Sequence, residues 1–567
     1  MADKVQVRPY LSPTLVLLAF DWAEGRDRND FLGFAIRRTP GFGRQSQSWL
    51  PNRLSFDGPA DMNHPDLPSN ENPIQKFMWW DARIDSKDRG KNFEYTVTPV
   101  IGAPASLQLL DDAAATIPVE VPREVEQGIG TYFNRAVVSS QAFTREFTDN
   151  PTGKVLDKAL SWLANGLDAV IPEFIKNSPA FDGAIYHLTD THWVIPALEA
   201  FDGPASIVYH AHPNDKANDQ AIADLGAKPN FSFAPRSHTN IMHNKFLVRV
   251  SGGVPTALLT GSANFTTEGL TSQANLLHTW DSPDLAALYQ SRQELIAENP
   301  SLKATTSAQN GWSDPVTVGD ASVSVFFSPE PEDERVGLGR IVDAVKAARK
   351  SVIFCLFDPT DQELRDECFN AADRGLMMFG LVNSINAPKA GGKTTAATTA
   401  AVDIFHRSRD RKDVFSHAAF RKGKQPKGFW WEISSVKSQV DRVSGAGDEV
   451  EDNKRQPPEV YIHHKFIVLD AETDNPIVYS GSANMSNNSS HKNDENLLEI
   501  TGSPRLARIY LAEFLRLYEH YRARAVFNLR STGDDSLKLQ SQTSLWAAKH
   551  YKIGTPEYRS RINMVSG

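Results

Sequence analysis

Two sets of four polar residues recur in the same order and at the same spacing. His243 and Lys245 stand in His-Asn-Lys, and Ser262 and Asn264 follow in Gly-Ser-Ala-Asn. His463 and Lys465 stand in His-His-Lys, and Ser482 and Asn484 follow in a second Gly-Ser-Ala-Asn. In both sets 17 positions separate the lysine from the serine. The second set also carries Asp470, which completes an H-x-K-x4-D pattern. One such set could arise by chance, but two at identical spacing could not. The chemistry that suits them is phosphodiester cleavage. That reaction needs a nucleophile competent near neutral pH, a proton donor for the leaving alkoxide and cationic charge for the equatorial oxygens. Neutral hydrogen-bond donors are also needed to fix the substrate's orientation. Imidazole can serve as nucleophile through one set and as acid through the other. Lys245 and Lys465 supply charge, and the serines and asparagines supply hydrogen bonds.

Such residues must be delivered by strands. Ile462, Phe466, Ile467, Val468 and Leu469 read as a buried strand, and Ile477-Val478-Tyr479 as a second strand entering the Gly-Ser turn. Leu258-Leu259 and Phe246-Leu247-Val248 repeat that plan around His243. Each set is followed by a helix, Ser282 to Glu298 and Pro504 to Arg522. The material upstream matches too. Helix 155–175, strand 184–188, helix 193–201 and strand 206–210 correspond to helix 338–350, strand 352–357, helix 361–374 and strand 377–382. Repetition over this many elements marks a duplicated α/β unit. The units are placed at 150–305 and 320–525, with a connector over 123–150 and a C-terminal extension over 526–567.

Residues 1–122 have a different texture. Leu15–Phe20, Phe31–Ile36, Ile74–Trp79 and Phe93–Val100 read as strands between Gly, Pro, Asn and Asp clusters. No helical period intervenes, so an all-β sandwich of immunoglobulin or fibronectin type is expected, in a scaffolding or recognition role.

The second unit holds an insertion at 384–458. It runs from small residues through Arg407, Arg409, Arg411, Lys412, Arg421, Lys422, Lys424 and Lys427 to Phe429-Trp430-Trp431. Basic residues beside aromatics suit lipid headgroups or single-stranded nucleic acid, and equally a solvated loop whose Trp pair packs on the core. Ala387 to Thr394 fits a relaxed phosphate-loop pattern, but Ala387 replaces the first glycine and the surrounding unit already carries another chemistry. His210 and His212 form an H-x-H without an acidic or Cys partner at ligand spacing, so they read as structural rather than metal-binding.

The bulk properties narrow the classes. The 567 residues, 40 % apolar and 23 % charged, describe several soluble domains. A net charge of -9 argues against a general basic field for duplex nucleic acid. The two cysteines, Cys355 and Cys368, are neither a disulfide framework nor a zinc site and read as buried thiols. No signal peptide or membrane-spanning stretch is visible, and Thr14 to Ala19 is too short to span a bilayer. A cytoplasmic location is expected.

The two sets resemble the phospholipase D superfamily. His463, Lys465, Asp470, Gly481, Ser482 and Asn484 match its H-x-K-x4-D and G-S-x-N motifs in full. His243, Lys245, Gly261, Ser262 and Asn264 match except that Val250 stands in place of the Asp. The resemblance covers roughly residues 150–525. It implies an α/β fold of two duplicated phospholipase D-like α/β/α units around a shared site, here preceded by the β-sandwich. It also implies a phosphohistidine intermediate, His243 as nucleophile, His463 as acid, and no metal or cofactor. In such enzymes a Glu beyond the G-S-x-N turn orients a site histidine. Glu495, 13 positions beyond Ser482, fits, whereas the first unit has Ala274 and Asn275 there. His243 is therefore expected to lack a carboxylate partner, and Asp470 to support the site from beneath. The expected substrate is a phosphodiester: a phospholipid met by peripheral membrane contact, or nucleic acid as the alternative. A non-catalytic binding protein is the third reading, opposed by the intact His, Lys, Ser and Asn in both sets.

Overall fold

In the computed structural model, the described residues are 3–58, 66–137, 146–147, 151–383, 403–407, 414–418, 462–529 and 538–566. Near the N-terminus, strands Gln6–Ser12, Leu15–Asp21 and Met78–Asp81 form one antiparallel sheet. Phe31–Thr39, Asn92–Ala103, Ala115–Glu120 and the short Ser48–Trp49 form another. Val16, Leu18 and Phe20 of the first sheet share a core with Phe34, Ile36, Tyr95 and Val97 of the second. Leu15, Leu17 and Ala19 face the other way, into the central core of the molecule. A strand buried on both faces needs apolar residues at every position, which is why Leu15–Phe20 shows no alternation. The strand expected at Ile74–Trp79 is shifted to Met78–Asp81, because Ile74 forms an isolated bridge to Phe34 instead.

Two larger mixed sheets follow. Taken in spatial order, the first contains Ile129–Phe133, Leu276–Trp280, Val254–Gly261, Lys245–Ser251, Ala180–Ile185, Ala205–His210 and Phe231–Arg236. The second contains Ala321–Ser328, Glu495–Thr501, Ile477–Gly481, Lys465–Leu469, Ser351–Leu356, Met377–Val382, Asp403–Arg407 and Val414–Ala418. The first six places correspond one for one. At the seventh the sheets diverge: Phe231–Arg236 runs parallel to its neighbour, whereas Asp403–Arg407 runs antiparallel.

Alternation along the strands joins the two sheets into one body. Phe246, Val248, Phe466 and Val468 point into a single core that also takes in Tyr289 and the helix residues Tyr510, Phe514 and Tyr518. Leu247 points to an outer core under the helices Leu167–Lys176 and Val194–Glu199, and Ile467 to another under Val336–Ala347 and Gln362–Asp373. Both faces of each sheet are thus covered, consistent with the continuous apolar runs that mark these strands.

Two expectations change, and the C-terminal extension gains a place. The connector at 123–150 contributes Ile129–Phe133, an antiparallel strand of the first sheet beside Leu276–Trp280, so that region begins before residue 150. Its Gly130 and Thr131 break the apolar pattern by which it could be recognised. The helix expected over 155–175 is two helices, because Asn165 and Gly166 both take positive φ, 50° and 106°. The C-terminal extension returns to the N-terminal sheets. Trp546 Nε1 donates to Phe31 O at 2.9 Å, and Tyr551 Oη donates to Trp22 O at 2.7 Å.

Of the insertion, Asp403–Arg407 and Val414–Ala418 extend the second sheet as an antiparallel pair. Residues 387–394, Arg409, Arg411, Lys412, the basic residues of 421–427 and Phe429-Trp430-Trp431 lie outside the described residues. Cys355 and Cys368 are free and buried, and burial pushes both thiols up, Cys368 to about 12. Among the described residues no helix is long and apolar enough to cross a membrane.

Candidate active site

The ends of the two sheets that carry the polar sets meet each other. Met242 bridges Asp494 and Ala274 bridges Ile462, each pairing one α/β region with the other. His243 N–H donates to Asp494 O at 2.9 Å, and His463 N–H donates to Ala274 O at 3.1 Å. The turns between strands are tight. At Gly261 a Cβ would collide with Leu276 O, and at Gly481 with Asn496 O. The Gly of each Gly-Ser-Ala-Asn is therefore required by close backbone approach. The following serine is fixed by both neighbours: Ser262 N–H donates to Leu276 O and Ser482 N–H to Asn496 O, both at 3.0 Å.

The histidines are held across the junction. His243 Nδ1 lies 2.6 Å from Glu495 Oε2, and His463 Nδ1 lies 2.9 Å from Asn275 Oδ1. Each partner comes from the opposite α/β region. This corrects the expectation that His243 lacks a carboxylate: His243 has one, and His463 is the histidine paired with an amide. Glu495 and Asn275 occupy equivalent places, each 13 positions after its serine. That offset was legible. The partner's identity was not, because it is decided by which strand ends abut.

Hydrogen-bond chemistry orients both rings. Burial pushes the Glu495 carboxyl up, but His243, Lys245 and the Asn493 amide outweigh it and hold the group below the usual range. An ionised carboxylate only accepts, so His243 Nδ1–H donates to it. Asn275 Nδ2 donates to Gly269 O at 2.8 Å, which fixes the amide's orientation and leaves Oδ1 as acceptor. His463 Nδ1 therefore donates as well. Both imidazoles turn Nε2 away from their partners.

The serines stand one place further back than expected. Ser262 Oγ donates to Asn275 Oδ1 at 2.8 Å and accepts from Leu276 N–H at 3.1 Å. Ser482 Oγ donates to Glu495 Oε2 at 3.1 Å and accepts from Asn496 N–H at 3.0 Å. Their protons are committed to the groups that hold the histidines. Lys245 Nζ donates to His243 O at 2.7 Å, and Lys465 Nζ to His463 O at 2.9 Å. Each ammonium is thus drawn up beside its own histidine. Asn264 and Asn484 are buried just beyond the strands Val254–Gly261 and Ile477–Gly481. All eight residues of the two sets, and Glu495, are at most 2 % exposed.

Asp470 is not with them. It lies five positions beyond Lys465, about 17 Å along an extended strand. There its carboxylate accepts from Arg349 N–H at 3.1 Å, Lys350 N–H at 2.7 Å and Ser351 N–H at 3.0 Å. It secures the start of Ser351–Leu356, and its own φ of 52° is one that Asp tolerates. In the first region Val250 instead pairs with Ala180 in the sheet.

Charged residues that the motifs do not mark also lock the junction. Asp494, fully buried, receives Arg236 Nε at 2.7 Å and Arg292 Nη2 at 2.9 Å, both from the first region. Breaking a buried pair of this kind is costly, so the clamp fixes the main chain beside Glu495. His210 also has an acidic neighbour after all. Asp215 Oδ2 lies 2.9 Å from His187 Nε2 and 3.6 Å from His210 Nε2. Burial pushes Asp215 up, and the His187 hydrogen bond and charge leave it at about 2. Among the described residues no group of three His, Cys, Asp or Glu could hold a metal ion.

Residues 341–518, roughly a third of the chain, match the family model described as "Cardiolipin synthase, PLD-like domain". No match is found among curated proteins. Solved structures that match parts of the chain include Nuc, a phospholipase D family member from Salmonella typhimurium, at 21 % identity. That match covers 23 % of this chain and 86 % of Nuc, with a TM-score of 0.20. Phosphatidylserine synthase from Haemophilus influenzae matches at 12 % identity over 70 % of this chain and 90 % of that one, TM-score 0.37. Yeast tyrosyl-DNA phosphodiesterase matches at 11 % over 58 % and 83 %, TM-score 0.29. The chain thus combines a β-rich N-terminal region, an α/β region and a C-terminal α/β region similar to a phospholipase D-like domain.

Proposed function

We propose that the chain is a phosphodiesterase that cleaves the headgroup of a phospholipid, or transfers it to an alcohol, through a phosphohistidine. The observation that carries this reading is the crossed pairing of His243 with Glu495 and of His463 with Asn275. His243 Nε2 attacks phosphorus, and the bond to the leaving alkoxide breaks as His463 Nε2–H gives that oxygen its proton. Attack leaves positive charge on the His243 ring, which the Glu495 carboxylate stabilises. A neutral amide orients His463 without holding charge on it, which suits a group that must release a proton. Water or an alcohol, deprotonated by the now neutral His463, then attacks phosphorus, the P–N bond breaks and His243 is regenerated. Lys245 and Lys465 neutralise the equatorial oxygens. The two histidines of one shared centre would stand on opposite sides of phosphorus for in-line displacement. Support for a lipid substrate comes from the matched family model, whose description names cardiolipin synthase. A nuclease of the same chemistry is the second reading, favoured by Arg421, Lys422, Lys424 and Lys427.

His243→Ala and His463→Ala should each lower turnover of an aryl phosphodiester, assayed with chelator present, by at least about 10³-fold. Rapid quench should find phosphoenzyme accumulating in His463→Ala and none in His243→Ala. Full activity in either variant would sink the two-histidine mechanism. Parallel assays on phosphatidylcholine, phosphatidylglycerol, single-stranded DNA and duplex DNA decide between the substrates.

A further inference from the structure

Each histidine–lysine pair opens a strand that lies beside two parallel strands, and the registers of the two regions coincide. Ile185 is paired with both Lys245 and Tyr209, and Leu356 with both Lys465 and Val382. One residue further on, Tyr186 and His210 in the first region occupy the places that Phe357 and Asn383 hold in the second. All four side chains are buried.

They also make equivalent contacts. The Tyr186 ring lies 5.0 Å from the His243 ring at 65°, and Lys245 Nζ is 4.8 Å from its centroid. The Phe357 ring lies 5.3 Å from the His463 ring at 54°, and Lys465 Nζ is 5.3 Å from its centroid. Beside each ring stands an acceptor for the peptide N–H that immediately precedes the histidine. Met242 N–H donates to His210 Nδ1 at 3.3 Å, and Ile462 N–H donates to Asn383 Oδ1 at 3.1 Å.

We infer that Tyr186 with His210, and Phe357 with Asn383, are positioning residues for the two histidine–lysine pairs. The ring sets the tilt of the imidazole and gives the ammonium a π face, and the acceptor fixes the main chain from which the histidine projects. The residue types differ between the regions while the geometry is kept. What both regions share is a ring face and one acceptor, so the Tyr186 hydroxyl and the second nitrogen of His210 are dispensable for this role. His210 can accept only while neutral. Burial lowers its pKa to about 3, with Asp215 opposing and His187, His212 and His243 adding to the effect. It therefore remains an acceptor throughout the neutral range.

The inference deepens the phosphodiesterase reading and rests on it only for its kinetic test. Tyr186→Phe and His210→Asn install the counterpart region's residue and should keep kcat within about 3-fold. Tyr186→Leu, Phe357→Leu, His210→Leu and Asn383→Leu keep apolar volume and should lower kcat roughly 10- to 100-fold, with KM within about 3-fold. A second readout needs no turnover: the downfield NMR resonance of the His243 Nδ1 proton shared with Glu495. It should persist in Tyr186→Phe and His210→Asn, and shift or broaden in Tyr186→Leu and His210→Leu. Unchanged kcat and resonance in the leucine variants would overturn the inference. So would losses in the counterpart exchanges as large as those in the leucine variants. If the leucine variants do not fold, the exchanges decide, together with Phe357→Tyr and Asn383→His: retention supports the assignment and loss refutes it. A wild-type protein inert toward every phosphodiester would defeat the proposed function alone, and the resonance would still test the positioning.

Discussion

The two histidines differ in the charge of what holds them. Glu495 is buried, yet His243, Lys245 and the Asn493 amide hold its carboxyl below the usual range, so it can both orient the His243 ring and stabilise a cation on it. Asn275 can do only the first. Glu495→Gln preserves shape and hydrogen bonding but removes the charge. It should lower kcat by about 10²–10⁴ with little change in KM, as loss of a carboxylate behind a catalytic imidazole does. Steady-state kinetics on an aryl phosphodiester checks this, and a kcat within 3-fold of wild type would refute a charge role. Glu495 could be picked out from its offset behind Ser482. Its partner could not, because Glu495 and His243 are 252 positions apart and meet only where the two sheets abut.

At the scale of elements, the H-x-K-x4-D motif divides between the two ends of one strand. Lys465 starts Lys465–Leu469 at the site, and Asp470 follows its far end, holding the backbone from Arg349 to Ser351. Asp470→Ala should therefore cost about 1–2 kcal/mol of stability through lost hydrogen bonds to the exposed backbone of Arg349 and Lys350 and the half-buried N–H of Ser351. It should leave kcat within a few-fold of wild type. Urea unfolding measured beside kinetics tests both halves, and a large loss of kcat at full stability would place Asp470 in the chemistry. The strands, their order along the chain and the Gly-Ser turns were legible from apolar runs and from repetition. Ile129–Phe133 was not, since a short strand at the margin of a sheet has too few apolar positions to show a period.

For the whole molecule, several buried histidines tie distant segments together in the neutral form. His278 joins Gly130 O at 2.9 Å and the hydroxyl of Tyr510 at 2.7 Å, linking the first sheet to helix Pro504–Leu529. Burial lowers it to about 4, against Gly130, and with Arg505 adding. Burial likewise brings His550, beside Phe77, to about 4, with Arg561, Arg522 and Lys76 adding. His210 lies at about 3. The sign follows from the unfolded chain, whose histidines protonate near pH 6.5 and so bind protons that the native state refuses. Their stabilisation is complete above that pH and is lost as pH falls from about 6.5 toward 4. Each should cost roughly 1.4 kcal/mol per pH unit in that window. Denaturation midpoints should fall steadily between pH 7 and 5, and a flat profile would contradict the assignment.

The sequence by itself determined the two histidine–lysine sets, their serine and asparagine companions, the α/β texture of both regions and the β-rich start. All of these follow from residue type and local spacing, which a linear chain displays. The tertiary structure decided who serves whom. It gave Glu495 to His243 and Asn275 to His463, turned the serine protons toward those two groups, and sent Asp470 to the far end of its strand. It also brought Arg236 and Arg292 onto Asp494, and placed Tyr186 and Phe357 under the two lysines. These outcomes depend on sheet register and on contacts between residues far apart in the chain, where spacing carries no information about partner.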